Sequence, residues 1–152
     1  MATPRIDRRA LLKTGAGALF ISSIPIPASA APEDMQAAVK ETFGDGPIQE
    51  GRVALSIPPI SENGFSVPIE IEVDSPMTEA DHVRRIAVFS PRNPVSTLIN
   101  FELGPRAGRA HVSTRIRLAG TQAVLVVAEM SDGSLWSGAA ETVVTLAACV
   151  VL

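Results

Sequence analysis

Cys149 is the only cysteine in this 152-residue chain, and only Val150, Val151 and Leu152 follow it. The thiolate is the nucleophilic form of cysteine, and a free thiol with a pKa of about 8.5 is partly ionised near neutral pH. Exported proteins usually keep cysteines in pairs, so a lone one points to a free reactive thiol or a bond to another chain. A thiol so near a terminus can reach into another protein's active site, or be reached there. Ala147 and Ala148 before it and Val150 and Val151 after it form the flanking arm, and the two alanines are small enough to let a narrow channel admit the sulfur. The bland alternative is a buried cysteine at the end of a strand, acting as a small hydrophobe. Val150-Val151-Leu152 keeps that alternative open, because Leu146 to Leu152 reads equally as strand.

Other chemistries find little support. His82, His111, Met130 and Cys149 contain the residue types of a blue-copper site, which needs two His, one Cys and a weak axial Met. In the usual arrangement a His and a Met follow the Cys closely, and here neither does. Asp81-His82 is one local carboxylate–imidazole pair with no nucleophile nearby in sequence. A hydrolytic site needs a nucleophile held at fixed distance from its base, which a chain end does badly. The chain has no phosphate loop and no dinucleotide fingerprint. We expect a protein that is not an enzyme and has no cofactor.

Arg8-Arg9, an apolar small-residue run from Thr14 to Ile26, and Ala28-Ser29-Ala30 have the order of a basic region, an apolar region and a cleavage site. The twin arginine favours the export route of that name and a periplasmic address. The run is shorter than the ~20 residues that span a membrane. Cleavage is expected after Ala30, leaving roughly 120 residues, enough for one domain with one core. Residues 1–30 carry Arg5, Arg8, Arg9 and Lys13 against Asp7, a net +3; with −3 for the whole chain, the remainder stands at −6. Such an acidic body is a poor candidate for binding nucleic acid.

Residues 31–43 have helical periodicity, with Pro32 suited to a first turn and Glu33 and Asp34 to the positive helix end. Gly44-Asp45-Gly46-Pro47 stops the helix. The rest reads as strands: 51–57, 67–73, 82–90, 98–103, 111–118, 123–130, 135–137 and 141–146. Ser61-Glu62-Asn63-Gly64 reads as a turn, and Pro68 should place its strand at an edge or a bulge. Ser131-Asp132-Gly133-Ser134 reads as a tight hairpin. Seven or eight short strands without intervening helices predict an all-β, immunoglobulin-like antiparallel sandwich with a short N-terminal helix. Trp136 is expected in or near its core.

Glu62-Asn63-Gly64, Val67-Pro68, the run Val73 to Thr78, Val112 to Ala119 and Val127 to Trp136 resemble the SoxY family of bacterial thiosulfate oxidation. The resemblance covers nearly the whole chain after the leader. It implies a periplasmic immunoglobulin-like domain (residues 31–146) paired with a SoxZ-like subunit, and a C-terminal arm (residues 147–152). It further implies that Cys149 bears sulfur intermediates. A SoxXA-type haem enzyme would load it, a SoxB-type hydrolase would release sulfate, and a sulfane dehydrogenase acts in some systems. The family's arm is Gly-Gly-Cys-Gly-Gly; here it is Ala-Ala-Cys-Val-Val-Leu. Valine is stiff and β-prone where glycine is permissive, so a stiffer arm is expected. A working carrier with adapted partners is the leading expectation. A carrier for another sulfur species is a second possibility, and the alternative is a non-carrier binding or structural subunit with an inert, packed tail.

Overall fold

The computed structural model describes residues 32–148. The expected leader, Ala31, Cys149, Val150, Val151 and Leu152 lie outside them. Among the described residues no helix is long and apolar enough to cross a membrane.

Helix α1 spans Pro32–Phe43, with Glu33 and Asp34 in its first turn and Lys40 in its last. Nine strands follow: β1 (Ile48–Glu50), β2 (Val53–Ser56), β3 (Ile60–Asn63), β4 (Val67–Val73), β5 (Val83–Phe89), β6 (Thr97–Glu102), β7 (His111–Ile116), β8 (Gln122–Met130) and β9 (Leu135–Leu146). They form the expected sandwich. One sheet has the order β1-β9-β8-β5-β6, with β3 also on β9; the other is β2-β4-β7. The β8–β9 hairpin is antiparallel and turns where expected, with Gly133 at φ 84°.

Two burial patterns show how the layers stack. In β4, Val67, Ile69, Ile71 and Val73 are buried and alternate with exposed Pro68, Glu70 and Glu72, because only one face of this strand meets the other sheet. In β5, Ile86, Ala87, Val88 and Phe89 are all buried. Ile86 and Val88 join the inter-sheet core with Val124, Val126, Ala128 and Met130. Ala87 and Phe89 meet α1 on the opposite face, against Val39, Met35, Ala38 and Phe43. The helix end is fastened by Arg85, whose Nη1 donates to the Thr42 carbonyl at 2.9 Å and whose guanidinium lies 5.7 Å from the Phe43 ring centre. A cation there satisfies a carbonyl left open by the helix terminus.

Several expectations need correction. Ser61, Glu62 and Asn63 belong to β3 and not to a turn, because their backbone pairs in parallel with β9 and buried Ser61 shares a 3.0 Å hydroxyl bond with Thr142. The short strand β1 also pairs in parallel with β9, at Leu135–Ser137. Residues 135–146 form one strand and not two; Gly138 does not break it but leaves room for the Val53 carbonyl, which a side chain there would strike. Pro68 lies in the middle strand of its sheet. However, β2 pairs only from Glu70 to Val73, so the missing N–H of Pro68 costs no bond on that side.

Candidate functional site

Strand β9 carries the chain from the β8–β9 hairpin to the arm, twelve residues or roughly 35 Å at about 3.3 Å per residue. Three backbone bonds hold its far end. Gly64 N–H donates to the Leu146 carbonyl at 2.8 Å, Leu118 N–H to the Gly64 carbonyl at 2.9 Å, and Ala148 N–H to the Leu118 carbonyl at 3.0 Å. A Cβ at Gly64 would sit 2.5 Å from the Leu118 oxygen and 2.9 Å from the Leu146 oxygen, so only glycine lets these three segments meet. Both sheets are thereby tied to the root of the arm. Ala147 and Ala148 are half-buried there, and the next residue in the chain is Cys149.

The segment that receives Ala148 is itself braced by a buried polar network. Asn93 Nδ2 donates to the Arg117 carbonyl at 2.8 Å, and Asn93 Oδ1 accepts from Ala119 N–H at 2.9 Å. Ser90 Oγ donates to Gln122 Oε1 at 2.5 Å, and Gln122 Nε2 donates to the Gly120 carbonyl at 3.1 Å. Ser90, Asn93 and Gln122 are buried, and no buried side-chain nitrogen or oxygen among the described residues lacks a partner. A satisfied network in a low-dielectric interior is stiff. Residues 117–122 therefore offer a fixed seat rather than a mobile loop. Sequence reading missed Asn93 and Gln122 and took Gly64 for part of a turn. Asn93-Pro94 signals a turn, but nothing local shows that Asn93 reaches across to residues 117–119.

The copper set does not assemble. His82, His111 and Met130 lie at strand ends on the hairpin side, whereas Ala148 is tied to Leu118 at the other end of β9. Among the described residues no group of three or more His, Cys, Asp or Glu could hold a metal. Nor do Asp81 and His82 form a dyad: His82 Nδ1 lies 3.0 Å from the Thr78 carbonyl, and Asp81 faces Arg52 at 3.8 Å. A polar cleft of about 270 Å³ on the hairpin side is lined by His82, Arg84, Arg85, Glu102 and Glu129, but Glu129 already holds both arginines, at 3.3 and 3.9 Å. On the same side the Asp132 carboxyl is held below its ordinary pKa, chiefly by the Ser134 hydroxyl and then by the Ser134 N–H.

The fold and the arm root place this chain among known proteins. No curated protein sequence matches it. Among solved structures, the sulfur carrier protein SoxY from Chlorobium limicola f thiosulfatophilum is 30% identical with a TM-score of 0.64, covering 75% of this chain and 98% of the other. A superoxide reductase (neelaredoxin) from Ignicoccus hospitalis is 16% identical with a TM-score of 0.54, covering 76% of this chain and 94% of its own. A putative superoxide reductase from Thermotoga maritima is 20% identical with a TM-score of 0.52, covering 63% and 86% respectively. These last two likenesses show a shared fold. The family described as sulfur oxidation protein SoxY matches residues 39–149, from within α1 to Cys149 itself, and the chain belongs to the SoxY family.

Proposed function

We propose that this chain is a covalent sulfur carrier of the periplasm, exported by the twin-arginine route, with Cys149 as the attachment point. The observation that carries the reading is the reach of the family match, whose last residue is Cys149. The site's design supports it: a stiff sandwich and a braced seat deliver the chain to within one residue of the thiol. The chain performs no chemistry of its own and presents the substrate to other enzymes.

Loading joins the Cys149 sulfur to the terminal sulfur of thiosulfate. One S–S bond forms, the thiol proton leaves, and the two electrons released pass one at a time through a SoxXA-type haem partner to that partner's own electron acceptor. Release of sulfate is a hydrolysis at a SoxB-type partner. Water supplies the oxygen to the sulfonate sulfur, the bond between the two thiosulfate-derived sulfurs breaks, and a persulfide stays on Cys149. A sulfane dehydrogenase would oxidise that persulfide further. A SoxZ-like subunit completes the carrier. Ile60 (63% exposed), Val143 (49%) and Leu146 (58%) lie along the β3–β9 strand pair that leads to the arm. Exposed aliphatic groups of this kind suit a covered surface.

The test is an intact mass after incubation with thiosulfate, the haem enzyme and the partner subunit. An adduct on the wild type that is absent in Cys149→Ser is expected. No adduct under conditions that load a glycine-armed relative overturns the reading. One observation favours the alternative of a packed, inert tail: the Ala148–Leu118 bond holds the chain against the body one residue before the thiol. Slow labelling of native Cys149 by a bulky thiol reagent, with fast labelling once unfolded, would select that alternative.

A further inference from the structure

The outer face of the larger sheet is only half covered. Residues paired directly across β8 and β9 point to the same side, and Val127–Ser137, Leu125–Ala139 and Ala123–Glu141 follow one another along that face. Val127, Leu125 and Leu135 pack under α1 with Phe89 and Val39. Beyond Leu125 the same face is bare: Ala123, Ala139, Glu141 and Val143 are exposed, and so is Ile60, the parallel partner of Val143 on β3. Thr142 and Val144, which alternate with them and point inward, are buried, so β9 is well packed here and only its outer side lacks cover. A shallow groove of about 340 Å³ lies between Pro59, Ala123, Glu141 and Val143. A second, of about 330 Å³, follows the flank of α1 between Met35, Val39, Ile48 and Leu125. Six large hydrophobic side chains are exposed among the described residues. Ile48, Ile60 and Val143 lie on this face, and Leu146 and Phe65 stand at its border, where the Gly64 N–H meets the Leu146 carbonyl. The charge around them is mostly negative. Glu50, Glu62 and Glu141 are exposed, and none belongs to an ion pair found among the described residues. α1 adds Glu33 and Asp34 in its first turn. The cations at the border are Lys40, held by Asp45 at 2.9 Å, and Arg92, whose Nη1 donates to the Thr121 carbonyl.

We propose that this bare half of the β3–β9–β8 face is where the SoxZ-like subunit docks, and that the subunit meets it with an aliphatic surface bordered by lysine or arginine. The docking face rests on the paired reading given above and adds to it the strands used and the chemistry of the partner. Size and charge select this occupant. Residues 137–145 extend about 25–30 Å, and three strands with the helix flank about 20 Å across, roughly 500–600 Å² before the arm-root border is added. A stable pair covers roughly 800 Å² on each side. A second copy brought to the same face by a two-fold axis would press its own Glu62 and Glu141 toward those of the first in a drying contact, which like charges resist. A basic border gives each carboxylate a partner instead, while Ile60 and Val143 lose their exposure to water.

The experiment titrates the SoxZ-like subunit of the same organism into the chain from residue 31 onward, by calorimetry. Val143→Asp and Ile60→Asp each set a carboxylate against apolar surface, and each is expected to weaken binding about 30-fold or more. Glu141→Lys should weaken it about fivefold at ~50 mM salt and less near 500 mM, and Glu141→Gln about twofold. Ala54→Asp and Glu70→Lys make the same kinds of change at exposed positions on the smaller sheet, and should leave binding within about twofold. All of these side chains are exposed, so each variant should fold, and equal melting temperatures check that. Unchanged binding in Val143→Asp and Ile60→Asp, or an equal loss in the two variants of the smaller sheet, overturns the docking face. Tighter binding in Glu141→Lys overturns the basic border. A dimer of the chain alone, seen by sedimentation and dissociated by Val143→Asp, overturns the choice of occupant. A wild type that does not bind the subunit overturns the pairing and the face together. The mass adduct on Cys149 remains a separate test of the carrier.

Discussion

The two ends of this sandwich are held together by different means. At the hairpin end, fastening is by charge and aromatic surface. Arg52 stacks 5.4 Å from the Trp136 ring centre and faces Asp81, while Trp136 Nε1 donates to Ser134 Oγ at 3.1 Å and that hydroxyl donates to Asp132 at 2.7 Å. Arg52 holds a left-handed backbone, φ 54°, to do this. At the arm end the fastening is by buried neutral hydrogen bonds, Asn93 and Gln122 to backbone, and by three backbones crossing at Gly64. An exposed ion pair tolerates motion and weakens with salt, whereas a buried neutral network does neither. The end at which Ala147 and Ala148 lead on to Cys149 has the stiffer seat.

The sharpest way to break this contrast is Gly64→Ala. Its methyl would press on the Leu118 and Leu146 oxygens, and we expect a loss of about 2–3 kcal/mol in denaturant unfolding, with faster hydrogen exchange at Ala148. Next comes Asn93→Ala, which leaves the Ala119 N–H and the Arg117 carbonyl without their buried partner. We expect a loss of about 2 kcal/mol and a change in the Cys149 labelling rate. At the other end, Arg52→Ala should cost about 1 kcal/mol through the lost ring contact and leave Cys149 labelling unchanged. If it alters labelling as Asn93→Ala does, the two ends are not independent.

The smallest effect is electrostatic. The Asp132 pKa is depressed in the folded state, so the stability it contributes is present above its ordinary value near 3.8 and is lost as pH falls through the folded value. Ser134→Ala removes the main cause. The Asp132 pKa, followed by carboxyl NMR, should rise toward its ordinary value, and the stability gap between variant and wild type should narrow below about pH 4.

Local pattern was enough for much of the frame. The alternation of β4 is visible because one face is wet. The helix shows in its acidic first turn and the glycines after it. The hairpin at 131–134 shows because Gly133 takes a positive φ that favours glycine. These signals lie within a few residues of chain, as does the isolation of Cys149 among apolar neighbours. What stayed hidden depends on contacts between distant residues. Ser61 to Asn63 looked like a turn because their strand exists only through parallel pairing with β9, some eighty residues on. Residues 138–140 looked like a gap between two strands because the carbonyl that Gly138 makes room for belongs to Val53.

The arm root follows the same rule. Sequence alone settled that a single cysteine stands among small and apolar residues, since that is a matter of composition and order. Tertiary structure decided that Ala148 is bonded to Leu118 and that Asn93, from a separate loop, braces the segment that receives it. Asn93 and Ala119, 26 residues apart in the chain, become neighbours only when two sheets close around one core, because packing and hydrogen-bond satisfaction choose the contact and sequence distance does not.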